Sequence, residues 1–333
     1  MMNPANLVEV WRGPFLESIH QGHAVICDAT GGIVAAWGDP EAVILPRSSA
    51  KMLQALPLVE SGAADAAGLS QAHLALACAS HQGAPGHTDV VSAWLAELGL
   101  GDSDLRCGPE APRDREIKHD MIRAGGSPCQ WHNNCSGKHA GFLTLTQHLK
   151  AGPEYVDPDH PVQTRVLEAF EAVTETKSPG FGIDGCSAPN FGTTLHGLAR
   201  AMAFFAAADP ESSHARDGAA GRLTQAMIAH PWLVAGEGRA CTELMRATSE
   251  PVAIKTGAEG VFVAILPKQR LGVALKIADG ATRASECAMA ALLVRLGVLP
   301  ADHPAVQRRM NAPIPNRRGM LTGHIRPVAG LAG

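Results

Sequence analysis

Strand-like apolar runs sit at both ends of this chain, and helix-like periodicity fills the middle. Residues 8–11 and 23–27 read as strands; Gly31 and Gly32 turn the chain, and 33–37 returns as a partner strand. Toward the other end, 252–255 is a short apolar strand. Residues 260–266 and 271–277 form a hairpin across 267–270, and 319–325 closes the sheet. Between these ends, Pro46 precedes a helix over 48–59, so that Ser48 and Lys51 fall in its first turn. Ser70 is an N-cap for a helix over 71–79. Further helices are expected over 88–98, 138–149, 161–174, 195–208 and 221–230, and an amphipathic one over 284–296. Gly- and Pro-rich connections separate them at 83–86, 108–112 and 178–182.

This order predicts an α+β fold. One antiparallel sheet is built from both chain ends (about 1–47 and 250–333) with flanking helices, and a mainly helical part covers about 48–249. The whole is read as a single catalytic unit, with the active site expected at the seam between the two parts.

Composition narrows the function. In 333 residues, 46% are hydrophobic and 18% charged, enough for a large core and against disorder. The net charge is −4 and there is no long basic run, which argues against a nucleic-acid surface. No segment approaches 18 apolar residues, so no membrane span is expected. The first 13 residues contain Glu9 and lack a basic start followed by an apolar stretch. A cytoplasmic location is expected, where the eight cysteines stay reduced. Cys78 and Cys287 sit in alanine-rich runs and read as small apolar core residues.

Four segments carry candidate chemistry. In Arg47-Ser48-Ser49-Ala50-Lys51 the lysine lies at i+3 from Ser48, on the same helix face, as a base for a serine nucleophile. Arg47 is a candidate for holding a substrate carboxylate. In Ala79-Ser80-His81-Gln82-Gly83, Ser80 ends a helix before a glycine turn and is a second candidate hydroxyl. In Asn134-Cys135-Ser136-Gly137-Lys138-His139, Cys135 and His139 have zinc-ligand spacing. Cys186 of Gly182-Ile183-Asp184-Gly185-Cys186 is a possible third ligand, and Asp184 an outer partner. In Lys255-Thr256-Gly257-Ala258-Glu259-Gly260 a lysine interrupts an apolar strand, where an unpaired ammonium is costly. Thr256 can donate to a substrate, and Gly257 permits close backbone approach.

Ser-x-x-Lys followed by Lys-Thr-Gly is the paired signature of penicillin-recognising serine hydrolases. The five motifs in this order, over about 8–327, resemble the rhizobial-type L-asparaginases of the asparaginase II family. The resemblance implies a fold like serine β-lactamases and glutaminases, a homodimer, and hydrolysis of L-asparagine to L-aspartate and ammonia. It implies two catalytic pairs, Ser48 with Lys51 and Ser80 with Lys255. It also implies a zinc ion on Cys135, Lys138 and Cys186, with Lys138 taking the ligand role that spacing gave to His139. Arg47, His139, Thr256, Gly257 and Asp184 are then the substrate-binding candidates. Rival readings are a β-lactamase or peptidase, a glutaminase of the same fold, and a non-catalytic zinc-binding protein. A glutaminase of that fold uses a tyrosine beside its serine and lysine. The single tyrosine, Tyr155, lies in a polar Gly-Pro-Glu-Tyr stretch and is a poor candidate for that role.

Overall fold

Every residue of the strand Val261–Leu266 is buried. A strand turns alternate side chains to opposite faces, so this pattern requires cover on both. The computed structural model, which describes residues 3–333, provides it with the helices Leu195–Ala207 and Thr282–Arg295, both in contact with this strand.

The strand belongs to an eight-stranded antiparallel sheet among the described residues. Its order is Ala312–Pro315, Leu321–Pro327, Ala5–Arg12, Phe15–Asp28, Leu271–Ile277, Val261–Leu266, Ala253–Thr256, and Ile33–Trp37 also pairs with Phe15–Asp28. The two chain ends therefore interleave: Val10 opposes Ile325, and Ile26 opposes Val273. The edge strand Ala312–Pro315 was not expected. Its two prolines cannot donate to a ladder, which suits an edge position. The helix Leu195–Ala207 packs closely on Leu271–Ile277 because of Gly272, where a Cβ would come within 2.1 Å of the Ala203 nitrogen and 2.4 Å of the Ala199 oxygen. These elements form one compact unit, comprising the segment ending at Ser49, Thr193–Ala207 and Glu243–Gly333.

The second unit comprises Ala50–Gly192 and Ala208–Thr242. Its centre is the helix Lys51–Glu60, buried from Lys51 through Val59. A helix buried all round belongs in a core, and this one packs against Ser136–His148, Pro161–Thr174 and Ala215–Ala229. Its Gln54 satisfies one side-chain donor on the Pro189 carbonyl at 3.3 Å.

Several boundaries differ from expectation for local reasons. The helix expected over 48–59 starts at Lys51, after a 3₁₀ turn over Arg47–Ala50. The helix expected from 221 starts at Ala215, where the His214 ring accepts from the Asp217 amide as a cap. Part of the expected loop at 178–182 is strand: Phe181–Ile183 pairs with Pro189–Phe191. An unforeseen helix, Arg115–Arg123, is capped by Asp114, which accepts from the Glu116 and Ile117 amides. Ser70 does open the helix Gln71–Ala77, with its amide donating to His73 Nδ1 at 3.0 Å. No helix among the described residues is long and apolar enough to cross a membrane.

Candidate active site

In the sheet unit, Arg47 has φ +53°, a left-handed conformation that is strained for a side-chain-bearing residue. It opens the 3₁₀ turn that carries half-buried Ser48 and fully buried Ser49, whose hydroxyl donates to the Pro46 carbonyl at 2.6 Å. The end of the strand Ala253–Thr256 lies against this turn. A Cβ on Gly257 would sit 2.7 Å from the Pro46 oxygen and 3.2 Å from the Ser49 nitrogen, so only glycine allows the approach. Lys255 is 1% exposed and its Nζ donates to the Thr256 carbonyl at 2.7 Å. The Thr256 side chain is half-buried. The structure thus brings Gly257 to the turn that carries Ser48.

In the helical unit, Lys51 is 1% exposed. Its Nζ donates to the Ala79 carbonyl, lies 3.1 Å from Ser80 Oγ, and is 3.4 Å from the Asn134 carbonyl. Three neutral acceptors surround it, and no carboxylate pairs with it among the described residues. Ser80 is held by its own amide, which donates to the Val234 carbonyl at 2.9 Å. The neighbouring His81 is fully buried and neutral; burial, with His87 and Lys51 nearby, pushes its pKa well down. Its Nδ1 accepts from the Gly83 amide, so its Nε2 carries the proton and donates to Ser136 Oγ at 2.9 Å. Ser136 Oγ in turn donates a hydrogen bond to the Trp131 carbonyl at 2.9 Å.

The third motif surrounds the start of the helix Ser136–His148. Lys138 Nζ is 3.0 Å from Cys186 Sγ, and both are buried. A hydrogen bond from Cys135 holds the Cys186 thiol well below its ordinary pKa; burial opposes this and Lys138 adds to it. Cys135 is pushed up as the proton donor of that pair, and by burial. Asp184 lies in the tight turn that presents Cys186, and its charge supports that of Lys138.

Spacing had suggested Cys135, His139 and Cys186 as ligands. That set does not form: among the described residues no three His, Cys, Asp or Glu side chains are placed to hold a metal ion. Beside His139, Tyr155 is fully buried although its stretch is loop. Its hydroxyl accepts from the Arg106 amide at 2.7 Å and lies 2.8 Å from His139 Nδ1. The assignment that leaves no donor idle has the hydroxyl donating to Nδ1, which puts the ring proton on Nε2. Nε2 is buried and has no partner of hydrogen-bonding geometry, although Cys186 lies beside the ring. Burial first, and then nearby Lys138, keeps His139 neutral, with a pKa lowered to about 4.

The donor set with Lys138 in place of His139 fits zinc. Two buried sulfurs and an amine converge, and thiolates are soft ligands that suit it. Tetrahedral zinc with bonds of about 2.1–2.3 Å holds its ligand atoms roughly 3.5 Å apart. The Lys138–Cys186 separation of 3.0 Å is a hydrogen-bond distance, about 0.5 Å shorter than that.

Sequence reasoning passed over Asn133, Asn134 and Glu110. Asn133 Nδ2 donates to the Cys107 and Gly108 carbonyls, and its Oδ1 accepts from the Cys135 amide. Asn134 supplies the carbonyl that Lys51 meets. Nothing in their spacing marks these roles, because they depend on a loop more than twenty residues away.

Residues 8–327 match the family model for L-asparaginase II. The chain belongs to the L-asparaginase II family. No curated protein matches this family member's chain. Among solved structures, native Mglu is similar at 14% identity and a TM-score of 0.48, covering 85% of this chain and 66% of that one. This chain therefore spans slightly less than two thirds of the Mglu chain's length. A putative β-lactamase from Bacteroides dorei is similar at 13% identity and a TM-score of 0.42, covering 78% and 87% of the two chains. A β-lactamase from Mycobacterium bovis is similar at 12% identity and a TM-score of 0.38, covering 80% and 89%.

Proposed function

We propose that this protein is a rhizobial-type L-asparaginase that hydrolyses L-asparagine to L-aspartate and ammonia through a serine activated by lysine. The observation that carries the reading is the setting of Lys51, a buried amine with a serine hydroxyl and two main-chain carbonyls around it. A neutral amine has two N–H donors and one lone pair. In that state the Ala79 and Asn134 carbonyls would take the two donors and leave the lone pair for a hydroxyl proton. That is the state a general base requires.

Lys51 accepts the Ser48 proton as Ser48 Oγ attacks the side-chain amide carbon. The C–N bond breaks, the proton goes to the leaving nitrogen, and ammonia departs. Water then hydrolyses the ester, restoring Ser48 and releasing aspartate. Ser80 and Lys255 relay protons, and Arg47, Thr256, His139 and Asp184 are the substrate-binding candidates. His139 qualifies through its idle buried Nε2–H. The amides at the turn around Ser48 are candidates for the oxyanion hole.

Cys135, Lys138 and Cys186 would hold zinc. When bound, the ion supplies a fixed positive charge that orients the substrate and keeps Lys138 neutral. A homodimer is proposed on family resemblance.

The Lys51–Ser80 contact also favours a second reading, in which Ser80 attacks and Ser48 assists. Trapping the acyl-enzyme by rapid quench and locating it by peptide mass spectrometry separates the two. The adduct is expected on Ser48 and absent from Ser48→Ala. An adduct on Ser80 reverses the assignment. A wild-type enzyme that releases ammonia from neither asparagine nor glutamine defeats both.

A further inference from the structure

Glu110 stands in a Gly- and Pro-rich loop and belongs to none of the motifs. Its Oε2 accepts twice from one residue: from the Asn134 main-chain amide at 3.1 Å and from Asn134 Nδ2 at 2.5 Å. Its Oε1 takes Arg113 at 3.0 Å. Burial opposes the carboxylate charge, but the Asn134 and Arg113 hydrogen bonds outweigh it and hold its pKa below the ordinary value.

Fixing both the amide and the side chain of Asn134 fixes the orientation of its α-carbon. Its carbonyl then has little freedom left. That carbonyl oxygen accepts from Lys51 Nζ at 3.4 Å and from the His81 amide at 3.2 Å. One oxygen therefore ties the buried lysine to the segment carrying Ser80. The same loop also grips that segment directly, since the Arg113 and Asp114 amides donate to the Gln82 carbonyl, at 2.9 and 3.3 Å.

We propose that Glu110 is a positioning residue for Lys51, acting through the Asn134 carbonyl. The Glu110 carboxylate bonds Asn134 and Arg113 rather than Lys51. It sets where the lysine nitrogen rests, and with it which lone pair or proton faces Ser80. The inference rests on the reading of Lys51 as the general base.

The test compares Glu110→Ala, Glu110→Gln, Lys51→Met and wild type in ammonia release from L-asparagine. Gln keeps a carbonyl oxygen for Asn134, and half-exposed Arg113 is free to turn to water. Glu110→Ala is expected to lower kcat about 10- to 100-fold, as for a misplaced catalytic group, with KM changed by less than about threefold. Glu110→Gln is expected to recover most of that loss. Exchange of the His81 amide proton should quicken in Glu110→Ala. Wild-type kcat in Glu110→Ala, or no recovery with Gln, overturns the proposal. Should Glu110→Ala fail to fold, Asn134→Ala removes the shorter anchor and keeps the main chain; wild-type kcat there overturns it equally. If the wild type or Lys51→Met shows that Lys51 is no base, the functional reading fails. His81 exchange then decides the positioning alone: faster supports it, unchanged overturns it.

Discussion

Lys51 Nζ lies 3.1 Å from Ser80 Oγ, although the two residues are 29 positions apart in the chain. The i+3 spacing also pairs Lys51 with Ser48. Ser48 lies in the 3₁₀ turn Arg47–Ala50, and the α-helix opens at Lys51. The lysine amine meets three groups distant in the chain, on Ala79, Ser80 and Asn134.

Lys51→Met tests this amine directly. It removes the base while nearly keeping the volume. Ammonia release should fall by about 10²- to 10⁴-fold, the usual worth of a positioned general base. Stability should not fall with it, because exchanging a buried ionisable group for an apolar one is often neutral or stabilising. Thermal melting beside the kinetic assay checks both halves. A loss of activity that only tracks a loss of folded protein would contradict the assignment.

Gly257→Ala tests the contact between the Lys-Thr-Gly strand end and the turn carrying Ser48. The new Cβ would press on the Pro46 oxygen and the Ser49 nitrogen. Overpacking of this kind costs about 1–3 kcal/mol. The midpoint of urea unfolding should drop accordingly, and kcat should drop with it because the displaced backbone carries Ser48.

His87 gives a pH dependence with a definite sign. It is fully buried, its ring is stacked 4.0 Å from Trp232, and burial lowers its pKa to about 4. The unfolded chain binds this proton near pH 6.5, well before the folded chain does. The folded state is therefore favoured fully above pH 6.5, and that advantage is lost as pH falls toward 4. Between pH 7 and pH 5 the contribution is about 2 kcal/mol. Unfolding free energies at the two pH values, in wild type and His87→Phe, should differ in slope by about that amount. Equal slopes would show that His87 is not held neutral.

Zinc content follows from the donor set. Protein purified without chelator should carry roughly one zinc per chain if Cys135, Lys138 and Cys186 bind it. Cys186→Ser should lose most of it, and chelation should lower the melting temperature of wild type but not of the variant. Metal analysis by mass spectrometry and a chelator melt check this. Full zinc in Cys186→Ser would move the site elsewhere.

Local signals were enough for much of this protein. The period-two runs at the chain ends, the hairpin across Pro267–Arg270 and the Ser70 cap can each be read within a few residues, because a strand face, a turn and a cap are local events. The lysine in the apolar strand before Thr256 was legible for the same reason, since a charge among buried neighbours stands out by composition alone. The six-residue early start at Ala215 was not, because a histidine cap has no strong sequence signature.

What only the tertiary structure decided is which distant groups meet. The His139 Nδ1 meets the Tyr155 hydroxyl from 16 residues away. Which hydroxyl Lys51 reaches depends on where the Ala79–Ser80 segment passes the first turn of its helix. The work of Glu110 exists only once residues 24 positions apart are folded together. A hydrogen bond is set by a few tenths of an ångström and by direction. Sequence spacing fixes neither across a loop, so the sequence by itself determined the fold class and the family, and packing alone chose the partners.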